Sequence, residues 1–194
     1  MIRKIFGLGI LFLLSGCAVS YFYDGQKYDS KEKFHQAIDS DFRGAMASVT
    51  PLPKPLTSKK LLFAMPSEAA MIEEATKRFV KLQSAAPTGQ AKEIVENLPK
   101  LGYRSIRIVF DAVQKKGIYT SSQIIEMQSM NGSYAASDDT DVLLYIEPSQ
   151  GSGQWFFTSA KHGKQIFSFD RSSPNTIGKV QAVLEAVQVQ AIRD

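Results

Sequence analysis

Few residues in this 194-residue chain have the chemistry of a catalyst. There are two histidines and one cysteine. His35 falls in an early helical stretch, and His162 lies between Lys161 and Gly163 in a turn. A nucleophilic serine is usually presented on a strained elbow, and no G-x-S-x-G follows any apolar strand. His162 therefore reads as a solvated turn residue, although a triad built from distant residues is set by geometry and not by spacing. The run "SDDTD" gathers Asp138, Asp139 and Asp141. A calcium loop needs ligands at alternate positions, a glycine for its turn and a distal glutamate, and those are missing. The acids read instead as the solvated cap of a buried strand. Gly151-Ser152-Gly153 lacks the lysine and following helix of a phosphate loop. With so few nitrogen and sulfur donors, neither a metal nor any other cofactor is expected.

The lone thiol, Cys17, has a distinctive neighbourhood. Arg3 and Lys4 give a positive leader, and Ile5 to Leu14 form an apolar run interrupted only by Gly7 and Gly9. Ten residues rise about 15 Å as a helix, half of a ~30 Å hydrocarbon core, so the run is too short to span. A charged start, a short apolar stretch and small residues at a cleavage point define a secretory signal peptide, here residues 1–16. Leu14-Ser15-Gly16-Cys17 resembles the lipobox of bacterial lipoproteins. That resemblance implies cleavage between Gly16 and Cys17, a diacylglycerol on the thiol and an acyl chain such as palmitate on the new amino group. Each buried methylene contributes roughly 0.8 kcal/mol, and two or three chains hold a protein where one does not. In that family an aspartate after the cysteine favours the inner membrane, whereas Ala18 stands here. The implied address is the outer membrane, lipid-anchored, with the protein facing the periplasm.

Without residues 1–16 the chain has 21 basic and 19 acidic residues, so the apparent basicity nearly vanishes. No basic run of the body exceeds two residues, as at Lys59-Lys60 and Lys115-Lys116, which argues against nucleic acid as a partner. No internal disulfide is available, and stability must come from packing. The expected organisation is a lipid-anchored segment over 17–58, with one amphipathic helix and a proline-rich spacer, followed by an α/β periplasmic domain over 59–194.

Along the chain, Tyr21, Phe22, Tyr23 and Tyr28 surround the turn signal Asp24-Gly25. Asp29 with Glu32 reads as a capping box. Phe34, Ile38, Phe42, Ala45 and Val49 then form one helical stripe that should pack on the domain. "TPLPKPL", Thr50 to Leu56, reads as a stiff extended spacer. Lys60 to Met65 is a buried strand, and Ser67 caps a helix lined by Ile72, Thr76, Phe79 and Val80. After "APTGQ" the helical spacing resumes through Ala91, Ile94, Val95, Leu98 and Leu101, with Gly102 as its cap. Tyr103 to Phe110 alternates as a strand, Asp111 to Lys116 is a helical turn stopped by Gly117, and Ser121 to Met130 reads as a helix. Asp141 to Glu147 is a continuous apolar strand of a sheet centre. "QWFFTSA" and "QIFSFD" complete a meander, and a last helix runs from about Pro174 to Ile192 on Ile177, Val180, Val183, Leu184, Val187 and Ala191. The expected architecture is α/β: a mixed sheet of about five strands, helices packed on it, a C-terminal strand meander and a closing helix.

"KKLLFAMPS", "TDVLLYIE", Trp155, "HGKQIFSFD" and the closing helix resemble the small lipoprotein domains related to the TolB N-terminal domain, including the curli secretion lipoprotein and the lipoprotein activator of a penicillin-binding protein. The likeness covers about residues 60–180. Thr50 to Leu56 extends only about 20 Å, short of the activator's arm across the cell wall. No pair of ten-residue alternating strands supplies a curli-type pore.

Trp155 and Phe157 fall on one face of their strand, and Tyr21 and Tyr23 sit near the anchor. These four are the candidate partner-binding residues, with core or headgroup packing the competing use. The expected function is noncatalytic: a lipid-anchored cell-envelope lipoprotein that docks or assembles another periplasmic or outer-membrane protein. The alternatives are a lipid-anchored hydrolase or carbohydrate-acting enzyme using Asp111, Asp138 or Asp141, or a curli-like secretion accessory subunit. The sequence leaves the oligomeric state open.

Overall fold

The computed structural model describes residues 21–23, 26–83, 89–129, 134–146, 154–161, 164–170 and 176–193. The chain opens with a small hairpin of β1 (Tyr21–Tyr23) and β2 (Gln26–Tyr28), paired antiparallel with Tyr21 opposite Tyr28. Helix α1 (Lys31–Ser48) follows. Its N-cap is Ser30, whose side chain accepts from the Lys33 amide, and not Asp29, which pairs with the Lys33 ammonium at 3.0 Å. The stripe is placed as its spacing predicts, with Phe34, Ile38, Ala45 and Val49 buried and Phe42 packed at the core margin.

The proline-rich stretch after α1 is not a free spacer. The Leu52 amide donates to the Lys116 carbonyl and the Leu56 amide to the Ile118 carbonyl, both at 2.9 Å. Leu52 also packs against the core. The three prolines keep this stretch extended, and the Leu52 and Leu56 amides fasten it along the body.

Five strands form the main sheet: β3 (Lys60–Pro66), β4 (Ser121–Met127), β5 (Thr140–Ile146), β6 (Gln154–Ser159) and β7 (Lys164–Asp170), in the order β4-β3-β5-β6-β7. β3 is parallel to both neighbours, and β5, β6 and β7 form the expected antiparallel meander. The continuous apolar strand β5 is central, as its composition predicts. Pro66 ends β3 without disturbing the ladder. The Ser67 amide donates to the Met127 carbonyl and the Lys60 amide to the Asp139 carbonyl, so odd-numbered residues of β3 bond to β4 and even-numbered ones to β5. The amide that proline lacks would point towards β5, whose pairing with β3 ends at Ala64.

Between β3 and β4 run α2 (Glu68–Gln83) and α3 (Gly89–Lys116), and α4 (Thr176–Arg193) closes the chain. Ser67 caps α2, accepting from the Ala70 amide at 3.2 Å. Among the described side chains of α2, Ala70 and Met71 are buried and Val80 is exposed.

Helix α3 corrects two readings. It runs through Gly102 without a stop and absorbs Tyr103 to Phe110, which the alternating pattern assigns to a strand. Gly102, Ile106, Val109 and Val113 are buried at spacings of four, three and four, a helical face. Ile108 and Phe110 are buried as well, because neighbours press on α3 from more than one side, and burial on two sides erases the polar stripe that marks a helix. Pro99 within α3 is itself buried. The helix ends at Gly117, whose φ of 71° is left-handed and whose amide donates back to Val113 and Gln114. Conversely, Ser121 to Met127 is strand β4 and not a helix. It lies at the sheet edge, where polar residues at alternate positions are solvated and the apolar run is short.

The core joins every layer. Ala45 of α1 and Val49, which caps that helix, lie in one cluster with Leu61, Phe63 and Met65 of β3, Ile106 and Val113 of α3, Leu143 of β5, Phe157 of β6, and Val180, Val183 and Val187 of α4. The N-terminal helix is thus part of the body's own core. Along α4 the predicted stripe holds except at Ile177, which is 40% exposed.

Candidate functional site

Cys17, the expected lipidation residue, and Gly16, at the expected cleavage point, lie outside the described residues. Tyr21, four positions after Cys17, opens the hairpin. That hairpin is held on α1 by rings: Tyr21 stands 5.3 Å from Phe34, and Tyr28 meets the same ring edge-on at 6.3 Å. The Tyr23 hydroxyl donates to Asp41, about two turns further along α1. Phe34 itself is 2% exposed. A three-residue strand pair is marginal alone, so these contacts to α1 fix the start of the folded body.

Next to this junction, Arg104 of α3 reaches back to α1. Its guanidinium makes a 2.9 Å ion pair with Asp39 and lies 3.4 Å from His35 Nδ1. Burial holds the His35 imidazole below its ordinary pKa, Arg104, Lys31 and Lys100 press it further down, and Asp39 opposes them. The unfolded chain therefore takes up a proton near pH 6.5 that the folded chain resists. Stability contributed here is complete above that pH and is lost as pH falls towards the depressed folded value. Thermal unfolding between pH 7.5 and 5.5 should show a falling midpoint, and His35→Gln should flatten that slope while leaving the pH 7.5 midpoint nearly unchanged. An equally steep slope in the variant would contradict this.

From the same turn of α3, the Tyr103 hydroxyl donates to Glu126 of β4 and Arg107 lies 4.0 Å from the same carboxylate. Burial and the Glu126 carboxylate push the Tyr103 phenol up to about 12, so it stays a protonated donor. Arg107 also lies over the Phe110 ring, 5.7 Å from its centre. These groups are 23 positions apart, and the Arg104–His35 pair 69, so no local spacing in the sequence could announce them.

The scattered acids occupy separate settings. Asp111 is half-buried on α3, where burial pushes its carboxyl up and Arg107 opposes. Asp138 is exposed in the turn before β5. Asp141 is buried at the start of β5 and pairs with the Lys59 ammonium at 3.5 Å. Among the described residues no hydrogen bond or ion pair joins any two of the three, and no group of three metal-ligating side chains occurs. His162 lies outside the described residues.

Of the four aromatic candidates, Phe157 is a core residue, 2% exposed with its ring 5.1 Å from that of Phe63. It is unavailable to a partner, because β6 turns that face towards the helices. Trp155 pairs with Phe169 across the β6–β7 ladder, and its side chain lies outside the described residues. Tyr21 and Tyr23 are half-buried against α1 and still reach solvent. No helix among the described residues is long and apolar enough to cross a membrane. No protein-family profile, curated protein or solved structure matches the chain.

Proposed function

We propose that the protein is a noncatalytic, lipid-anchored lipoprotein of the outer membrane, facing the periplasm, that docks another envelope protein. The observation that carries this reading is the ordered run of positive leader, short apolar stretch, Ser15-Gly16 and Cys17 followed by Ala18. The fold supports a particular form of it. Four residues extend at most about 14 Å, so a lipid on Cys17 keeps the hairpin within that distance of the headgroups. Beyond the hairpin there is no loose tether, since α1 shares the core and the proline-rich stretch is bonded along the body. The domain is then a close-docked platform whose partner must come to the membrane surface.

Cys17→Ala should move the protein from the membrane fraction to the soluble fraction, because acylation supplies the membrane affinity. Retention of the variant in membranes would overturn the anchor. Crosslinking in intact membranes that captures no envelope protein above background would overturn the docking role.

A further inference from the structure

The two edges of the main sheet differ in how they are guarded. Isolated edges usually carry lysine, proline, a bulge or an outward charge, which stops them recruiting another strand. β7 begins with Lys164, ends with Asp170, and borders a register shift at Phe157/Thr158. β4 has none of these. Its ladder on β3 is regular over all seven residues from Ser121 to Met127, and it contains no lysine, arginine or proline. Its single charge, Glu126, is drawn back over the sheet by Tyr103 and Arg107 of α3.

The backbone parity of β4 is fixed by its neighbour. The Met127 carbonyl accepts from Ser67 on β3, so odd-numbered residues of β4 bond inward, while Ser122, Ile124 and Glu126 turn their amides and carbonyls outward. In agreement, the Ser122 carbonyl meets a side chain, Gln114 Nε2 at 3.4 Å, and not a strand.

We propose that β4 is a self-pairing strand, in which two copies of the chain join their outer edges antiparallel about Ile124 and fuse two five-stranded sheets into one. The strand complements itself in this register. Ile124 meets Ile124 of the second copy, Ser122 meets Glu126, Gln123 meets Ile125, and Ser121 meets Met127. The three outward-facing pairs make about six backbone hydrogen bonds, and the only acid lies opposite a serine, so no like charges confront each other. A two-fold axis generates this contact without any further surface. The proposal does not depend on the lipid, although a shared membrane would raise the local concentration of copies.

Disulfide trapping in membranes tests it on the full chain. Residues 124 of the two copies lie about 5.5 Å apart as a hydrogen-bonded pair, within disulfide reach. Residues 123 lie on a diagonal of about 7–8 Å, outside it. Oxidised Ile124→Cys should run mainly as a dimer, and Gln123→Cys severalfold less so. Equal trapping of both, no trapping at 124, or an adduct of another size at 124 would overturn self-pairing. The unmodified chain run alongside reports on Cys17 itself: crosslinking there would reveal a free thiol and count against the anchor alone. Sedimentation in detergent should give twice the chain mass, falling to one chain for Ile124→Lys and for the milder Ser122→Lys, whose side chain is half-exposed. Monomeric wild type, or a dimer unchanged in Ser122→Lys, would also overturn it.

Discussion

Phe63→Ala lowers the unfolding free energy by about 4 kcal/mol, the largest effect expected of any single substitution in this chain. Phe63 is fully buried in the centre of β3. Its ring meets Phe110 of α3 edge-on at 5.8 Å and Phe157 of β6 at 5.1 Å, and so ties the sheet's parallel part to its meander and to the helix above. Truncation removes transfer free energy and both ring contacts, and it leaves a cavity. The strands on either side of β3 are fixed by backbone bonds and cannot close on that cavity. Urea titration should show a lower midpoint with an unchanged slope, and Phe63→Leu, which refills most of the volume, should recover the greater part. A loss below about 1 kcal/mol would mean that the site collapses freely and that the three rings are not a unit.

Lys59→Met should cost about 3 kcal/mol, because it leaves a charge without its partner in a poorly solvated place. The side chains of Lys59 and Asp141 are 16% and 11% exposed, and their ion pair spans 3.5 Å. The second carboxylate oxygen of Asp141 is buried with no hydrogen-bond partner. Once Lys59 is gone, Asp141 keeps only the cost of its burial. Adding Asp141→Asn removes that charge, so the double variant should be markedly more stable than Lys59→Met alone. Lys59 has other interactions besides this pair, and the four-way cycle separates them from the coupling. Strictly additive losses would show that the pair contributes nothing.

The architecture was legible where residues had a single environment. β5 is apolar at nearly every position and lies mid-sheet, the α1 and α4 stripes face one core, and the glycine at 117 stops a helix because its φ needs no side chain. The main sheet has the expected five strands although two elements exchanged roles, and the β1–β2 pair is additional. Tyr103–Phe110 carries β-branched and aromatic residues at alternate places, but the helical face Gly102, Ile106, Val109, Val113 extends over a longer window and wins. Ser121–Met127 has two adjacent isoleucines among polar residues, a composition that an edge strand tolerates and a helix can imitate. Nothing local could reveal that Thr50–Leu56 is fastened to Lys116 and Ile118, since the partners lie more than sixty positions away.

The candidate site was legible only in part. The lipobox proposal rests on a contiguous run of residues, whereas partner contact at Phe157 depended on which way a strand faces, and the core claims that face. The Arg104–His35–Asp39 and Tyr103–Glu126–Arg107 groups are products of how α3 lies between α1 and β4. They became visible only with the fold.

The proposed role requires a bilayer-embedded lipid at one sulfur atom, with the folded body held a few residues away. Mass spectrometry of the N-terminal peptide from the native protein tests this most directly. The predicted result is a chain that begins at Cys17 and carries a thioether-linked diacylglycerol and an amide-linked acyl chain. A peptide that retains residues 1–16, or one with an unmodified Cys17 thiol, would contradict it.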